Sequence, residues 1–294
     1  MTEHRILPAR QAQLSAASLK ANLPEYHSLL TFYEQLFIAQ ESSKLQTALE
    51  PIVIAPEVLQ VKHRERLPLV AMTEFVFDAA AGRELLAEIC DILRESENEM
   101  ASSAERIAHA AGRKLEIDSL FRHLLDGDDA YFDETAGSIG CDKKALAFVA
   151  YHSLRPSLMV CAEQLATYLK DRTEWKSGIC PVCGNLPAIA VLDKEGRRSL
   201  SCSFCWHEWP MPRVYCPFCN STDGKELNYL YSETEKTLRV DCCEKCRKYI
   251  KTVDARSADR TVYPPLEQVA SLHLDMKARD AGYDSGIPLH LPDE

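Results

Sequence analysis

The sequence lacks the signatures of the common enzyme classes. It contains no G-x-S-x-G nucleophile elbow, no Walker A loop, no G-x-G-x-x-G dinucleotide fingerprint and no H-E-x-x-H pattern. It also lacks an excess of positive charge, since 34 Lys and Arg stand against 44 Asp and Glu, for a net charge of −10. Phosphate binding needs clustered basic residues, so this balance argues against a general nucleic-acid binder. We therefore expect a protein that is not an enzyme and does not bind nucleic acid.

Long apolar runs are missing as well. The first twenty residues, MTEHRILPARQAQLSAASLK, contain no apolar core of the kind that a signal peptide carries. Apolar runs such as residues 145–150 are far shorter than a membrane span. We expect a cytoplasmic protein with no membrane span. Twelve cysteines in that compartment argue against a disulfide framework.

The first 179 residues are poor in cysteine and rich in helical periodicity. Apolar residues recur at helical spacing over residues 24–49 and again over residues 142–170. Pro156 lies inside the second stretch and predicts a kink or a break there. This part contains only Cys90, Cys141 and Cys161, which we expect to be small buried hydrophobic residues.

The character of the chain changes near residue 177. Residues 186–192 and 226–231 are strand-like, and each is followed by a polar turn and a second short strand-like run, which is the pattern of a hairpin. Further on, PLEQVASLHLDMKARDAG predicts a helix with Pro265 near its start and Gly282 at its end.

Four C-x-x-C pairs accompany these hairpins. They are Cys180/Cys183, Cys202/Cys205, Cys216/Cys219 and Cys243/Cys246. Two residues between cysteines allow both sulfurs of a tight turn to converge on one ion, and the spacing between pairs is close to that of zinc sites. Because the plan of C-P-x-C, strand, turn, strand and C-x-x-C occurs twice, sequential pairing is favoured over a cross-braced arrangement. The alternative of a redox C-x-x-C fits four evenly placed pairs poorly.

We therefore expect two metal ions, each held by four cysteines. A tetrahedral four-thiolate site accepts zinc or iron, and the sequence leaves the choice open. Cys242 directly precedes Cys243 and is an alternative ligand. His207 follows the second pair closely, but four cysteines per site already complete a tetrahedron, so we do not expect it to bind the metal.

Other side chains in this part are candidates for contact with a partner. Trp206, Glu208 and Trp209 follow the second cysteine pair, and tryptophan is enriched where proteins dock, although packing is the favoured role of Trp209. Basic residues and tyrosines are also scattered here, and a solvated surface is favoured over a nucleic-acid interface because acidic residues lie among them. They are Arg197, Arg198, Arg213, Lys245, Arg247, Lys248, Lys251, Tyr229, Tyr231 and Tyr249.

Taken in order, these motifs resemble the FdhE family of formate dehydrogenase accessory proteins. The resemblance rests on CPVCG at residue 180, on C-x-x-C-x3-W with R-V-x-C-x-x-C over residues 202–219, on C-x-x-C-x2-Y-x-K over residues 243–251, and on SLHLDMKARDAGY. It is detailed over residues 178–283 and general over the helical part. The doublet at Cys242 departs from the pattern.

The resemblance implies a helical domain followed by two rubredoxin-like metal ribbons. It further implies a cytoplasmic role in the maturation of respiratory formate dehydrogenase, through binding of the catalytic subunit before export. The eight paired cysteines match the metal cysteines of the family one by one, and Glu208 with Trp209 matches an acid–tryptophan pair. A zinc-ribbon nucleic-acid binder and a rubredoxin-like electron carrier are the alternatives, and the sequence leaves self-association into a homo-oligomer open.

These observations predict an α+β fold: an N-terminal all-α domain, two tandem rubredoxin-like (zinc-ribbon) β modules and a C-terminal helix. The predicted bounds are a helical domain at 1–176, a first four-cysteine ribbon at 177–214 and a second at 215–253. The C-terminal helix and tail are expected at 254–294.

Overall fold

A computed structural model of the chain describes residues 7–96, 99–169, 175–232 and 235–287. Eight α-helices form the N-terminal part, which we call the helical body (residues 7–169). They are α1 (Pro8–Asn22), α2 (His27–Gln46), α3 (Pro56–Arg64), α4 (Ala79–Glu95), α5 (Ala101–Ala110), α6 (Ile117–Asp126), α7 (Asp129–Ile139) and α8 (Lys143–Ala166). Between α3 and α4, residues 65–78 are irregular except for a 3-10 turn at Met72–Glu74.

The central helix α8 runs unbroken through Pro156, so the predicted break does not occur. A proline inside a helix leaves the carbonyl of the residue four positions earlier without its donor. That carbonyl belongs to His152, and the amide of Gln40 on α2 donates to it at 2.8 Å. The buried Gln40 side chain therefore replaces the missing backbone hydrogen bond.

Helix α8 and the 3-10 turn after it, residues 143–169, are long and apolar enough to cross a bilayer by length and composition. However, 67% of their most apolar window is buried inside the protein. The continuous apolar runs remain short, as the sequence predicts, but the helix that contains residues 145–150 is longer and more apolar as a whole than those runs indicate. The apolar character of α8 is explained by its place at the centre of the hydrophobic core.

A seven-stranded sheet follows the helical body. Its strands are β1 (Pro187–Leu192), β2 (Arg198–Cys202), β3 (Glu208–Met211), β4 (Leu227–Ser232), β5 (Glu235–Cys243), β6 (Lys248–Asp254) and the short β7 (Asp284–Ser285). The order is β3-β2-β1-β6-β5-β4, and β7 pairs with β6. We call residues 177–214 the first module and residues 215–254 the second module.

The two predicted hairpins, β1–β2 and β4–β5, are present, and each module adds a third strand that sequence reasoning missed. Strands β1 and β6 pair in parallel, with Ile189 opposite Lys251 and Leu192 opposite Asp254. The modules are thus continuous through one sheet instead of standing apart as separate ribbons.

The predicted C-terminal helix is present as two segments, α9 (Pro264–Ala270) and α10 (Leu272–Asp280), which meet at Ser271. Helix α9 packs with α1 and α2 through Leu266, Ala270 and Tyr263. Helix α10 packs on the second module through Leu274 and Ala278. The C-terminal segment therefore ties the sheet to the helical body.

Candidate metal centres

Each C-x-x-C pair lies in a tight turn that we call a knuckle. The residue directly after the second cysteine of every knuckle has a positive φ angle: +78° at Gly184, 59° at Trp206, 61° at Asn220 and 57° at Arg247. A left-handed residue reverses the chain so that both sulfurs point to the same side of the turn. Glycine and asparagine adopt this geometry readily, which explains the residues after the two C-P-x-C pairs.

The first, third and fourth knuckles share a backbone hydrogen bond. The amide of Gly184 donates to the carbonyl of Cys180 at 2.9 Å, and the amide of Asn220 donates to that of Cys216 at 3.0 Å. The amide of Arg247 donates to the carbonyl of Cys243 at 2.9 Å. The internal repeat seen in the sequence is therefore a repeat of local geometry.

The first cysteine group brings together the sulfurs of Cys180, Cys183, Cys202 and Cys205. The sulfur of Cys183 lies 3.5 Å from those of Cys202 and Cys205, and the sulfurs of Cys180 and Cys205 are 3.7 Å apart. Sulfurs placed about 2.3 Å from a central ion at the corners of a tetrahedron are about 3.8 Å apart. These distances fit a tetrahedral metal site and are far too long for disulfide bonds.

The second group repeats this arrangement with Cys216, Cys219, Cys243 and Cys246. The sulfurs of Cys216 and Cys246 are 3.7 Å apart, and those of Cys219 and Cys243 are 3.6 Å apart. The first knuckle therefore faces the second and the third faces the fourth, as the sequential arrangement predicts. Both groups have the ligand type and spacing for one divalent ion each; zinc and iron satisfy them equally.

One cysteine in each group, the second of its C-P-x-C pair, has a lowered pKa, whereas burial raises the pKa values of Cys180, Cys205, Cys216 and Cys246. The thiols of Cys180, Cys202 and Cys205 lower the pKa of Cys183, because they hydrogen-bond to its thiolate. At Cys219, burial opposes ionisation, but the amide of Ser221 and the neighbouring thiols outweigh it and lower the pKa. The amides of Asn185 (side chain) and Phe204 (backbone) also point at the sulfurs of the first group, at 3.5 and 3.4 Å. Such donors stabilise thiolates, the form in which cysteine binds a metal.

Neither Cys242 nor His207 belongs to these groups. Cys242 is buried among Leu238, Val240 and Tyr249, and burial raises its pKa to about 12. Burial lowers the pKa of His207 to about 4, and its backbone carbonyl accepts the amide of Cys202 at 2.9 Å. Of the Cys242–Cys243 doublet, only Cys243 lies with the other sulfurs.

The first group is the more deeply placed of the two. All four of its cysteines are buried, whereas Cys219 and Cys246 of the second group are partly exposed. The helical body holds the first knuckle through backbone bonds from Leu69 to Pro181 (3.0 Å) and from Val70 to Val182 (2.9 Å). It holds the second knuckle through the hydroxyl of Tyr151, 3.2 and 3.0 Å from two carbonyls of that turn.

Besides the pairing of β1 with β6, the modules contact each other at Arg198 and Gly178. The buried guanidinium of Arg198 on β2 donates to the carbonyl of Tyr215 at 2.8 Å and lies 3.5 Å from Asp241 on β5. A Cβ on Gly178 would lie 1.8 Å from the carbonyl oxygen of Pro217, in the third knuckle. Glycine is required at residue 178 because the third knuckle packs directly against this backbone.

The candidate partner-contact residues separate in the structure. Trp209 is buried, and its indole donates to the carbonyl of Ser177 at 3.3 Å, so it belongs to the packing. Glu208 is exposed on β3, and the Trp206 ring lies 4.6 Å from the guanidinium carbon of Arg155. A partner role for these three residues stays a prediction.

The scattered basic residues do not form a basic face. Arg197 pairs with Asp193 at 2.6 Å, and Arg247 pairs with Glu244 at 2.5 Å. Arg198 and Lys251 are buried, and so is Tyr249. Tyr229 and Tyr231 are exposed side by side on β4. Arg213 and Lys245 are exposed as well, but four of the seven basic residues are paired or buried, which leaves few cations to neutralise phosphates.

The three cysteines of the helical body behave as small hydrophobic residues. Cys90 and Cys161 are fully buried in the core, and Cys141 packs at its edge. Burial raises the pKa of Cys90 to about 12 and those of Cys141 and Cys161 to about 11. Such thiols are protonated and poorly reactive at neutral pH.

Comparisons with known proteins agree with this architecture. Residues 179–213 match the domain described as FdhE, central domain, and residues 214–289 match FdhE, C-terminal domain. A protein FdhE homolog of Aquifex aeolicus (strain VF5) is 27% identical over 275 residues, covering 90% of this chain and 88% of the relative. One of Edwardsiella ictaluri (strain 93-146) is 28% identical over 262 residues, covering 86% and 78%.

A solved structure shares the fold over almost the whole chain. It is the crystal structure of the FdhE protein from Pseudomonas aeruginosa, with a TM-score of 0.69 at 20% identity. The match covers 97% of this chain and 95% of that one, so it includes the helical body as well as the two modules.

Proposed function

We propose that this chain, whose cysteine-rich part carries the central and C-terminal domains of the FdhE family, is an accessory protein for the maturation of formate dehydrogenase. The observation that carries the proposal is the continuous match to a relative of nearly equal length, with both cysteine domains present in order. The chain acts in the cytoplasm by binding the catalytic subunit before that subunit is exported. It performs no catalytic step of its own.

The eight knuckle cysteines bind one metal ion per group. When bound, the ion locks two facing knuckles into a single unit, since four thiolates close the coordination sphere and leave no open position for a substrate. The role of the metal is therefore to hold the modules in shape against the helical body. The second group, with two partly exposed cysteines, also presents a thiolate-rich surface to a partner.

Formate dehydrogenase activity in cells that lack this gene tests the proposal. We expect activity to be lost and to return when the gene is restored. A chain with Cys216→Ser and Cys219→Ser is expected to restore little activity, whereas Cys141→Ser, a matched change outside the two groups, is expected to restore it fully. Unchanged activity in the deletion strain would overturn the assignment to formate dehydrogenase.

Direct binding is tested separately. The purified full chain, loaded with zinc, is expected to retain the formate dehydrogenase catalytic subunit on a column and to release it when the thiolates are stripped of metal by a chelator. Loss of activity in the deletion strain without any such binding would keep the accessory role and remove the binding step.

A further inference from the structure

A large cavity lies where the helical body, the first module and the C-terminal helices meet. Its volume is about 760 Å³, which is within the range of ligand-binding pockets. Its walls come from α2, α6 to α8, the second knuckle, β6, α9 and α10, and most of the lining side chains are apolar or aromatic. Apolar walls of this extent indicate a binding site that takes an occupant with apolar groups.

Among the charged residues that line this cavity, Arg155 is the deeply buried cation; it lies one residue before the proline of α8. The side chain is 1% exposed and lines the cavity wall. The rings of Phe37 and Trp206 lie 4.9 and 4.6 Å from its guanidinium carbon, and Nη1 donates to Gln40 at 2.5 Å. Among the described residues, Nε and Nη2 have no hydrogen-bond partner and the group forms no ion pair. A buried cation with two unmatched donors is costly unless an acceptor arrives with the occupant.

The carboxylates that line the cavity do not pair with Arg155, because each of them already has another partner. Asp128 is held by His123 at 2.9 Å, and Asp129 by Lys143 at 2.7 Å. Asp275 accepts from Lys251 at 2.6 Å and from Tyr249 at 2.8 Å. The carboxylates of the wall are therefore already matched.

No carboxylate among the described residues forms an ion pair with Arg155. The buried Glu41 accepts from the Tyr263 hydroxyl at 2.7 Å, and this hydroxyl also adjoins the guanidinium of Arg155, so Glu41 reaches Arg155 only through Tyr263. His152 adds no charge, since burial and then the guanidinium of Arg155 lower its pKa to about 3. The cavity wall is thus complementary to an anion.

Two further features indicate a peptide. Gln268 on α9 lines the same cavity, and its buried Oε1 has no donor among the described residues, so the site offers an acceptor as well as donors. The apolar lining also continues outward to Leu272 and Met276 on α10, which are 44% and 59% exposed. An apolar surface that runs from a buried floor to an open rim suits a chain that enters the cavity and continues beyond it. Flexible methionine at such a rim adapts to varied side chains.

We propose that this cavity binds an extended segment of a partner protein that carries an acidic side chain among apolar ones. The carboxylate lies against Nε and Nη2 of Arg155, and a backbone N–H of the segment donates to Gln268. The apolar neighbours of the acid occupy the aromatic wall and the rim of α10. The proposal concerns the chemistry of the segment and does not depend on the partner being formate dehydrogenase.

The test is selection from a phage library of random twelve-residue peptides on the full chain loaded with zinc. Selected peptides are then synthesised with a fluorescent label, and their affinities are measured by fluorescence anisotropy. We expect peptides with one Asp or Glu among apolar residues. Replacing that acid by its amide is expected to weaken binding about 30-fold, the usual effect of removing one partner of a buried charge pair.

Three variants locate the peptide. Arg155→Gln is expected to abolish the difference between acid and amide peptides. Because this buried change can disturb folding, Met276→Glu on the exposed rim is the second variant and is expected to weaken binding at least tenfold by repelling the acid. Leu45→Glu introduces the same charge at a residue that is 80% exposed and outside the cavity, and it is expected to leave affinity unchanged.

Several results would overturn the proposal. One is the absence of any enriched peptide, and another is enrichment of peptides that carry no acid. A third is a peptide affinity that neither Arg155→Gln nor Met276→Glu changes. Binding that appears only after the chain is shortened at Ile287, which lines the cavity, would assign the site to the chain's own C-terminal segment. A dimer that Met276→Glu dissociates in sedimentation would assign it to a second copy.

Discussion

The two cysteine groups have the same local geometry but differ in burial and in the part of the protein that packs around them. The first group is fully buried, shares a hydrophobic core with α8 and is bonded to the helical body through its backbone. The second is partly exposed, and its module packs instead against α10. The same ligand set can therefore serve two purposes: a buried site stabilises the whole fold, and an exposed site stabilises only the strands around it. This difference leads to four predictions.

The largest effect is expected from removing the first group. We expect Cys180→Ser with Cys183→Ser to lower the free energy of unfolding by more than about 4 kcal/mol, because a metal site and its surrounding core are lost together. Cys216→Ser with Cys219→Ser is the matched pair, and it is expected to remove one ion while the helical body still unfolds near the wild-type midpoint. Urea unfolding followed by circular dichroism, with metal content by mass spectrometry, compares the two. Equal losses of stability would contradict the proposed division of roles.

The second effect concerns the junction between the modules. We expect Gly178→Ala to destabilise the protein by about 2 to 4 kcal/mol, since its Cβ would overlap the backbone of Pro217 and push the third knuckle away. Gly137→Ala is the control, because a Cβ on this glycine of α7 meets nothing within 4 Å, and alanine is the better helix former. Urea unfolding should show a loss for the first variant and a slight gain for the second.

A third prediction compares the exchange of the two ions. Both sites are expected to hold zinc when the protein is prepared with it, and a chelator should remove one equivalent at least about tenfold faster than the other, because opening a buried site requires local unfolding. A colorimetric zinc indicator follows the release. The fast equivalent should be missing in the Cys216→Ser/Cys219→Ser variant; its presence there would place the labile ion in the first group.

The smallest effect is expected where the helical body contacts the second knuckle. Tyr151→Phe removes the hydroxyl that lies against the carbonyls of Ser203 and Phe204, and we expect a loss of about 1 kcal/mol. Tyr229→Phe, on an exposed strand, is expected to change stability by less than about 0.5 kcal/mol. Thermal unfolding measures both, and a larger effect at Tyr229 would mean that β4 is covered in solution.

Local features of the fold could be predicted from the sequence because they depend on short-range rules. The spacing of the four C-x-x-C pairs indicates which sulfurs meet, and short strand-like runs separated by polar turns indicate the β1–β2 and β4–β5 hairpins. Strand β3 escaped prediction because it is four residues long and contains Pro210. Strand β6 has buried residues on both faces, so it lacks the alternation of a half-exposed strand.

Long-range features could not be predicted in this way. The parallel pairing of β1 with β6 depends on which edges meet in three dimensions, and neither strand carries a local signal of its partner. The continuity of α8 through Pro156 depends on Gln40, which is more than a hundred residues away in the chain. The cavity at Arg155 likewise forms only where segments that are far apart in the sequence converge, from Tyr33 on α2 to Ile287 near the C-terminus.

The β1–β6 pairing also has a consequence for synthesis. Ile189 leaves the ribosome about 60 residues before its partner Lys251, which corresponds to roughly 3 to 12 seconds at usual rates of translation. During that interval the nascent first module has its β2 and β3 neighbours but an open edge at β1, where another chain can pair. A ribosome that stalls after residue 211 and before residue 248 therefore holds a chain whose first module is complete in cysteines and still has this open edge.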